Sequence, residues 1–144
     1  MIKLMYESNP LNEMAIINPK MCKQLSIQVE IEQRNEGPIP HVHVYLDKTG
    51  NPKNCSYVRL DKCEYSTHHK DGKKMTKNQK EQFIELMNTI CPNVAMTDNS
   101  GNMRPATGYQ AACLTWSETY ENGNLDKFNT DDNGIVTQMD YSNL

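Results

Sequence analysis

Pro40-His41-Val42-His43-Val44-Tyr45-Leu46 alternates aliphatic with ring-bearing side chains. In an extended chain successive side chains point to opposite faces. Val42, Val44 and Leu46 therefore share one face, and His41, His43 and Tyr45 the other, which predicts a strand over 41–46. Upstream, Leu25-Ser26-Ile27-Gln28-Val29-Glu30-Ile31-Glu32 alternates as strictly, the pattern of a half-buried strand. Asn35-Glu36-Gly37-Pro38 turns the chain between the two. Downstream, Asp47-Lys48-Thr49-Gly50-Asn51-Pro52 reads as a loop. A third strand over 55–60 puts Val58 and Leu60 on one face and Tyr57 and Arg59 on the other. Three strands joined by short turns predict an antiparallel meander.

Helices follow the strands. Thr76-Lys77-Asn78-Gln79 has the form of a capping box. Phe83, Ile84, Met87 and Ile90 then recur at helical spacing, with Pro92 just beyond. A second helix is expected from about Thr107 to Tyr120, with Tyr109, Ala112, Cys113, Trp116 and Tyr120 on one stripe and Gly123 to end it. The N-terminal twenty residues are irregular apart from a short helix around 12–17. Residues 93–105 read as a polar loop, and 124–144 as an acidic tail. Strands first and helices second give an α+β class: one domain over 1–144, with a three-stranded meander packed against two helices.

The chain has 144 residues, 37% of them hydrophobic, enough for one domain with its own core. No apolar run reaches the ~20 residues that span a bilayer, and the opening Met1-Ile2-Lys3-Leu4-Met5-Tyr6-Glu7 lacks the apolar segment of a secretion signal. Five cysteines, Cys22, Cys55, Cys63, Cys91 and Cys113, form no C-x-x-C pair, so a disulfide framework or zinc ribbon is not indicated. These features predict a cytoplasmic protein with no membrane partner. The net charge of −3 is unevenly spread: residues 59–80 hold seven Lys/Arg against three acids, and residues 117–144 six acids against one Lys. Two segments that attract each other, or two solvated faces, account for this as simply as a partner surface does.

Four sets of residues carry chemistry. His41 and His43 project from one face of a strand, where Cys55, Cys63, His68 or His69 would be the third ligand of a transition metal. The plainer account is that they pack against Tyr45 and a helix. An alternating histidine triad of the nucleotide-hydrolase kind is excluded, because its third place is Tyr45. Asn129-Thr130-Asp131-Asp132-Asn133-Gly134-Ile135-Val136-Thr137-Gln138-Met139-Asp140 has the spacing of a single calcium loop. Its ligands would be Asn129, Asp131, Asn133 and Asp140, but it begins on Asn rather than Asp and ends on Asp rather than Glu. An acidic turn explains the same residues. Lys73, Lys74, Lys77 and Lys80 could touch phosphates or a partner, and Lys77 and Lys80 stand in the first turns of a helix, where its dipole does not favour cations. No aromatics are interleaved with them for base stacking. No nucleophile elbow or glycine-rich phosphate loop is present.

The order Pro40-His41-Val42-His43-Val44, Tyr57-Val58-Arg59-Leu60, then a helix from Thr76 resembles a small uncharacterised bacterial and phage family. That family carries a P-P-H-x-H-V strand, a hairpin and a helix, often in gene pairs of toxin–antitoxin type. Ile39 stands where the family has proline. The resemblance covers residues 38–90, and Thr107-Gly108-Tyr109, Trp116 and Met139-Asp140-Tyr141-Ser142 are similar to longer versions from gut phages and mobile elements. It implies a small accessory protein of a bacterial host cell that binds another macromolecule, and it supplies no catalytic residue. The leading expectation is a non-catalytic regulatory or counter-defence protein that binds a protein partner, with the edge of the meander as a route for strand pairing. A metal-dependent hydrolase or nuclease built on His41 and His43 is the rival, and a calcium-binding module at 129–140 the third reading. Nucleic acid binding through 59–80 and association with further copies of the chain are left open.

Overall fold

The computed structural model describes residues 2–4, 8–9, 14–33, 37–47, 52–67 and 72–144. Eight strands and three helices are assigned among them: β1 (Ile2–Leu4), β2 (Ser8–Asn9), β3 (Met14–Ile16), α1 (Pro19–Cys22), β4 (Gln28–Glu32), β5 (His41–Tyr45), β6 (Cys55–Arg59), α2 (Lys77–Asn88), β7 (Ile90–Thr97), β8 (Met103–Thr107) and α3 (Gly108–Tyr120). The class is mixed α and β with antiparallel sheets, as expected. The meander β4-β5-β6 is present, but it belongs to a five-stranded sheet ordered β2-β3-β4-β5-β6, and a second sheet is ordered β1-β7-β8.

Three expectations are corrected. Residues 14–16 are a strand rather than part of a helix, because their backbone pairs with Glu30–Glu32 of β4, and the helical turn comes later, at α1. The polar loop over 93–105 is mostly a hairpin. Pro92 and Asn93 argue for a loop, yet they fall where the register of β7 against β8 shifts between Cys91 and Ala95, a bulge that absorbs them. Pro105 sits on β8, an edge strand of its sheet, the place where a strand tolerates proline. The hairpin turn is held by Asp98, whose carboxylate accepts from the Ser100 and Asn102 amides and pairs with Arg104 at 2.9 Å.

The third correction concerns the acidic tail, which is packed into the body. Phe128, Val136 and Tyr141 belong to the main core. The Tyr141 hydroxyl donates to the Arg59 carbonyl at 2.6 Å and the Tyr109 hydroxyl to the Leu60 carbonyl at 2.6 Å, so two buried phenols tie off the end of β6. Tyr141→Phe removes one such bond and is expected to cost about 1 kcal/mol. Tyr141→Ala also vacates the space against Phe83 (ring centroids 5.3 Å) and should cost about 3–5 kcal/mol in urea denaturation.

Both longer helices start where local signals place them, but α2 ends at Asn88, and Ile90, expected on its apolar stripe, opens β7 and is exposed. Thr76 caps α2 and Thr107 caps α3, each with the reciprocal Gln of a complete capping box. Beyond α3 the amides of Glu121 and Gly123 both donate to the Ser117 carbonyl, with Asn122 and Gly123 at positive φ. α3 is buried nearly all round, as a central helix must be. Tyr109, Ala112, Cys113 and Trp116 join the main core with Val29, Val42, Val58, Phe83 and Leu86. Ala111 and Leu114 instead pack with Cys91, Val94, Met96 and Ala106 of the second sheet. The buried hydroxyls of Thr115 and Ser117 bond back to the carbonyls of Ala111 and Leu114, which satisfies them without leaving the helix.

Candidate functional site

The histidine strand is inside the protein. Antiparallel pairing sets Glu30 opposite His43 and His43 opposite Tyr57, so the three stand in one row across β4, β5 and β6. On the opposite face of these strands Val29, Val42, Val44 and Val58 enter the main core. Both faces are nonetheless buried: His41 is 1% exposed, His43 6% and Glu30 3%. The two imidazoles stack with centroids 5.4 Å apart and planes 17° apart. Tyr57 meets His43 edge-on at 4.8 Å, Tyr45 lies 6.2 Å from His43, and Trp116 of α3 lies 5.4 Å from His41. Packing against Tyr45 and a helix is thus the environment observed.

The electrostatics follow from that enclosure. His41 Nδ1 lies 2.9 Å from the Ile39 carbonyl. A carbonyl only accepts, so Nδ1 carries the proton in the neutral ring. Burial raises the Glu30 carboxyl above its ordinary value near 4.5, opposed by a hydrogen bond from Gln28 and by neighbouring His43. Burial likewise raises the Tyr45 phenol. A carboxyl raised by folding holds its proton more tightly in the native state. Its contribution to stability is therefore complete below the unfolded value near 4.5 and is lost as pH climbs through the raised one. Glu30→Gln is expected to raise stability at pH 7, by about 1.4 kcal/mol for each tenfold loss of acidity, and so to raise Tm. The gain should vanish near pH 4, and thermal denaturation of both forms across pH 4–8 checks it.

Among the described residues no three His, Cys, Asp or Glu side chains gather to hold a metal ion. His68 and His69 lie outside the described residues. Cys55 is buried on β6, and Cys63 is part-buried on the chain beyond it.

In residues 129–140 nearby backbone amides use the carboxylate oxygens of Asp131 and Asp140. Asp131 accepts from the amides of Asn133 and Ile135, at 2.8 and 3.1 Å. Thr130 and Val136 bridge as antiparallel partners, and the Asn133 carbonyl accepts from the Asn99 amide at 2.9 Å. Asp140 accepts from the Ser142 amide. Gly134 takes φ +78, and a Cβ there would lie 2.4 Å from Asn99 Oδ1. This glycine serves the turn and its contact with the β7–β8 turn.

The β6 edge, proposed above as a docking route, is already closed. The Glu64 carbonyl accepts from the Arg59 amide, while the amides of Ser66 and Lys73 donate to the carbonyls of Tyr57 and Cys55. The segment that closes it ends on the lysine cluster. Lys73, Lys74 and Lys77 are exposed and Lys80 is part-exposed, with no acid in the first turn of α2. Among the described residues the ion pairs join Arg59 to Asp61 and Glu64, Arg104 to Asp98 and Lys127 to Glu121, and none reaches these four lysines. Beside them is a recess lined by Tyr57, Tyr65, Ser66, Gly72, Lys73 and Lys74. Sequence reasoning found the lysines and the histidines. It missed Glu30, Tyr57, Tyr65 and Trp116, whose neighbours are set by strand register and helix packing rather than by spacing along the chain.

The site and fold together define a mixed α/β protein with two antiparallel sheets about a central helix, a buried histidine row and a basic cluster that has no ion pair among the described residues. Compared with known proteins, the chain matches no family model, no curated protein and no solved structure. None of its helices is long and apolar enough to cross a membrane among the described residues.

Proposed function

We propose that this chain is a non-catalytic binding protein of the phage or mobile-element kind that its histidine strand resembles, and that it regulates or counters a host system by docking on the acidic surface of a protein partner. The observation that carries this reading is the cluster of exposed Lys73, Lys74 and Lys77 with part-exposed Lys80 around the start of α2, free of ion pairs among the described residues. Such a cluster keeps its charge available to steer and hold an acidic partner. A protein partner is favoured over nucleic acid because the chain as a whole is acidic, at net −3, and among the described residues no exposed aromatic accompanies the lysines as a stacking platform.

The test compares the wild-type chain with a variant carrying Lys73→Glu, Lys74→Glu, Lys77→Glu and Lys80→Glu, both immobilised against nuclease-treated lysate of a bacterial host. The partner identified is then purified and titrated against each. An affinity at least about tenfold weaker for the variant, with strong salt dependence, supports the reading. Equal binding by both chains, or binding that disappears with nuclease treatment, overturns it.

A further inference from the structure

We propose that the recess between Tyr65 and the two lysines is a phosphate-monoester subsite. This deepens the docking reading and rests on the lysine surface being the working one. The recess holds about 100 Å³, room for roughly three water-sized groups, which is the scale of one tetrahedral oxyanion. None of the six described residues that line it is a carboxylate. The Tyr65 oxygen accepts from the Met75 amide at 3.1 Å, and the phenol's proton has no acceptor among the described residues. The ammonium groups of Lys73 and Lys74 have none either. The residues that line this small hollow thus carry three donor groups, two of them cationic, that have no acceptor among the described residues. A dianion that accepts several hydrogen bonds at once complements such a set.

The walls are held by the backbone before any ligand arrives. The Lys73 amide donates to the Cys55 carbonyl at 2.9 Å, and the Ser66 amide donates to the Tyr57 carbonyl at 2.7 Å. The Ser56 hydroxyl donates to the Lys73 carbonyl. Ser66 on one side of the recess and Lys73 on the other are therefore both tied to β6. Preorganisation of this kind lowers the cost of binding. The floor, Tyr57, is the ring that packs edge-on against His43, so an occupant would sit one ring away from the buried histidines.

The probe is inorganic phosphate, titrated into the ¹⁵N-labelled full chain at constant ionic strength, with sodium chloride as the control. The expected result is saturable shifts at the Ser66, Lys73 and Lys74 amides, with a dissociation constant on the order of millimolar. Lys73→Gln with Lys74→Gln should weaken binding about tenfold or more, and Tyr65→Phe severalfold. A phosphoserine peptide and adenosine monophosphate are then titrated as two sources of the same group. Tighter binding of the peptide than of free phosphate and of the nucleotide assigns the group to a modified partner protein, and the reverse order assigns it to a nucleotide. Shifts reproduced by chloride, no saturation, or saturation unchanged in the double variant each overturn the subsite. The two ideas fail separately. Phosphate binding that survives alongside partner capture indifferent to the four lysine reversals sinks only the docking reading, while the converse sinks only the subsite.

Discussion

Trp116→Ala is expected to lower the stability of the fold by about 3–5 kcal/mol, a large share of the ~5–15 kcal/mol that holds a domain together. The indole is fully buried. It lies 4.2 Å from the Tyr120 ring and 5.4 Å from His41, and it joins the main core with residues of the five-stranded sheet. Its removal leaves a hollow that a central helix flanked by two sheets cannot collapse to fill. Trp116→Phe should be milder, at about 1–2 kcal/mol, because the indole N–H is buried without a hydrogen-bond partner and its loss relieves a desolvation cost. Urea denaturation followed by far-UV circular dichroism measures both. Fluorescence does not serve, since Trp116 is the only tryptophan. Equal costs for the two variants would show that the ring's volume does not set the effect.

Gly108→Ala should destabilise by about 2–3 kcal/mol, although helix propensity alone favours alanine over glycine by about 1 kcal/mol. The sign reverses because a Cβ at this position would lie 2.3 Å from the Leu86 carbonyl oxygen and 3.2 Å from Met87 Cα. Both are backbone atoms of α2, which cannot swing aside as a side chain would. The same residue donates its amide to the Thr89 carbonyl at 2.9 Å, so α3 begins in direct contact with the end of α2. Gly101→Ala is the natural control. Its φ is +84 and nothing lies within 4 Å of the added carbon, so only backbone strain of about 1 kcal/mol is expected. Thermal denaturation of the two variants side by side separates steric contact from conformational preference. A Gly108→Ala chain as stable as the parent would mean that the two helices can part freely.

The functional consequences follow from where charge is buried and where it is not. His41 and His43 are enclosed by rings and strands, and Glu30 is buried beside them at a cost to stability at pH 7. Lys73 and Lys74 meet solvent beside a preformed hollow. Chemistry that depends on an approaching partner is therefore expected at the start of α2, some way along the chain from the histidine strand that first attracts the eye.

The parts legible in the sequence were those decided within a few residues of themselves. Alternation over 41–46 marked the strand and its two faces, and Thr76 with Gln79 marked the start of α2, because a capping box closes within one turn; the apolar stripe from Tyr109 to Tyr120 marked α3. Tertiary structure alone decided the rest. Glu30 meets His43 only through strand register. Pro92 and Pro105 are tolerated because a bulge and a sheet edge receive them. The acidic segment joins the core because Tyr141 reaches the Arg59 carbonyl, 82 residues away. Whether the histidine face met water could not be read from alternation, which sorts side chains between two faces but says nothing of what later packs on each. Burial is a property of the assembled chain, and here it turned the most conspicuous residues into core and left the lysines of a short connecting segment to face the solvent.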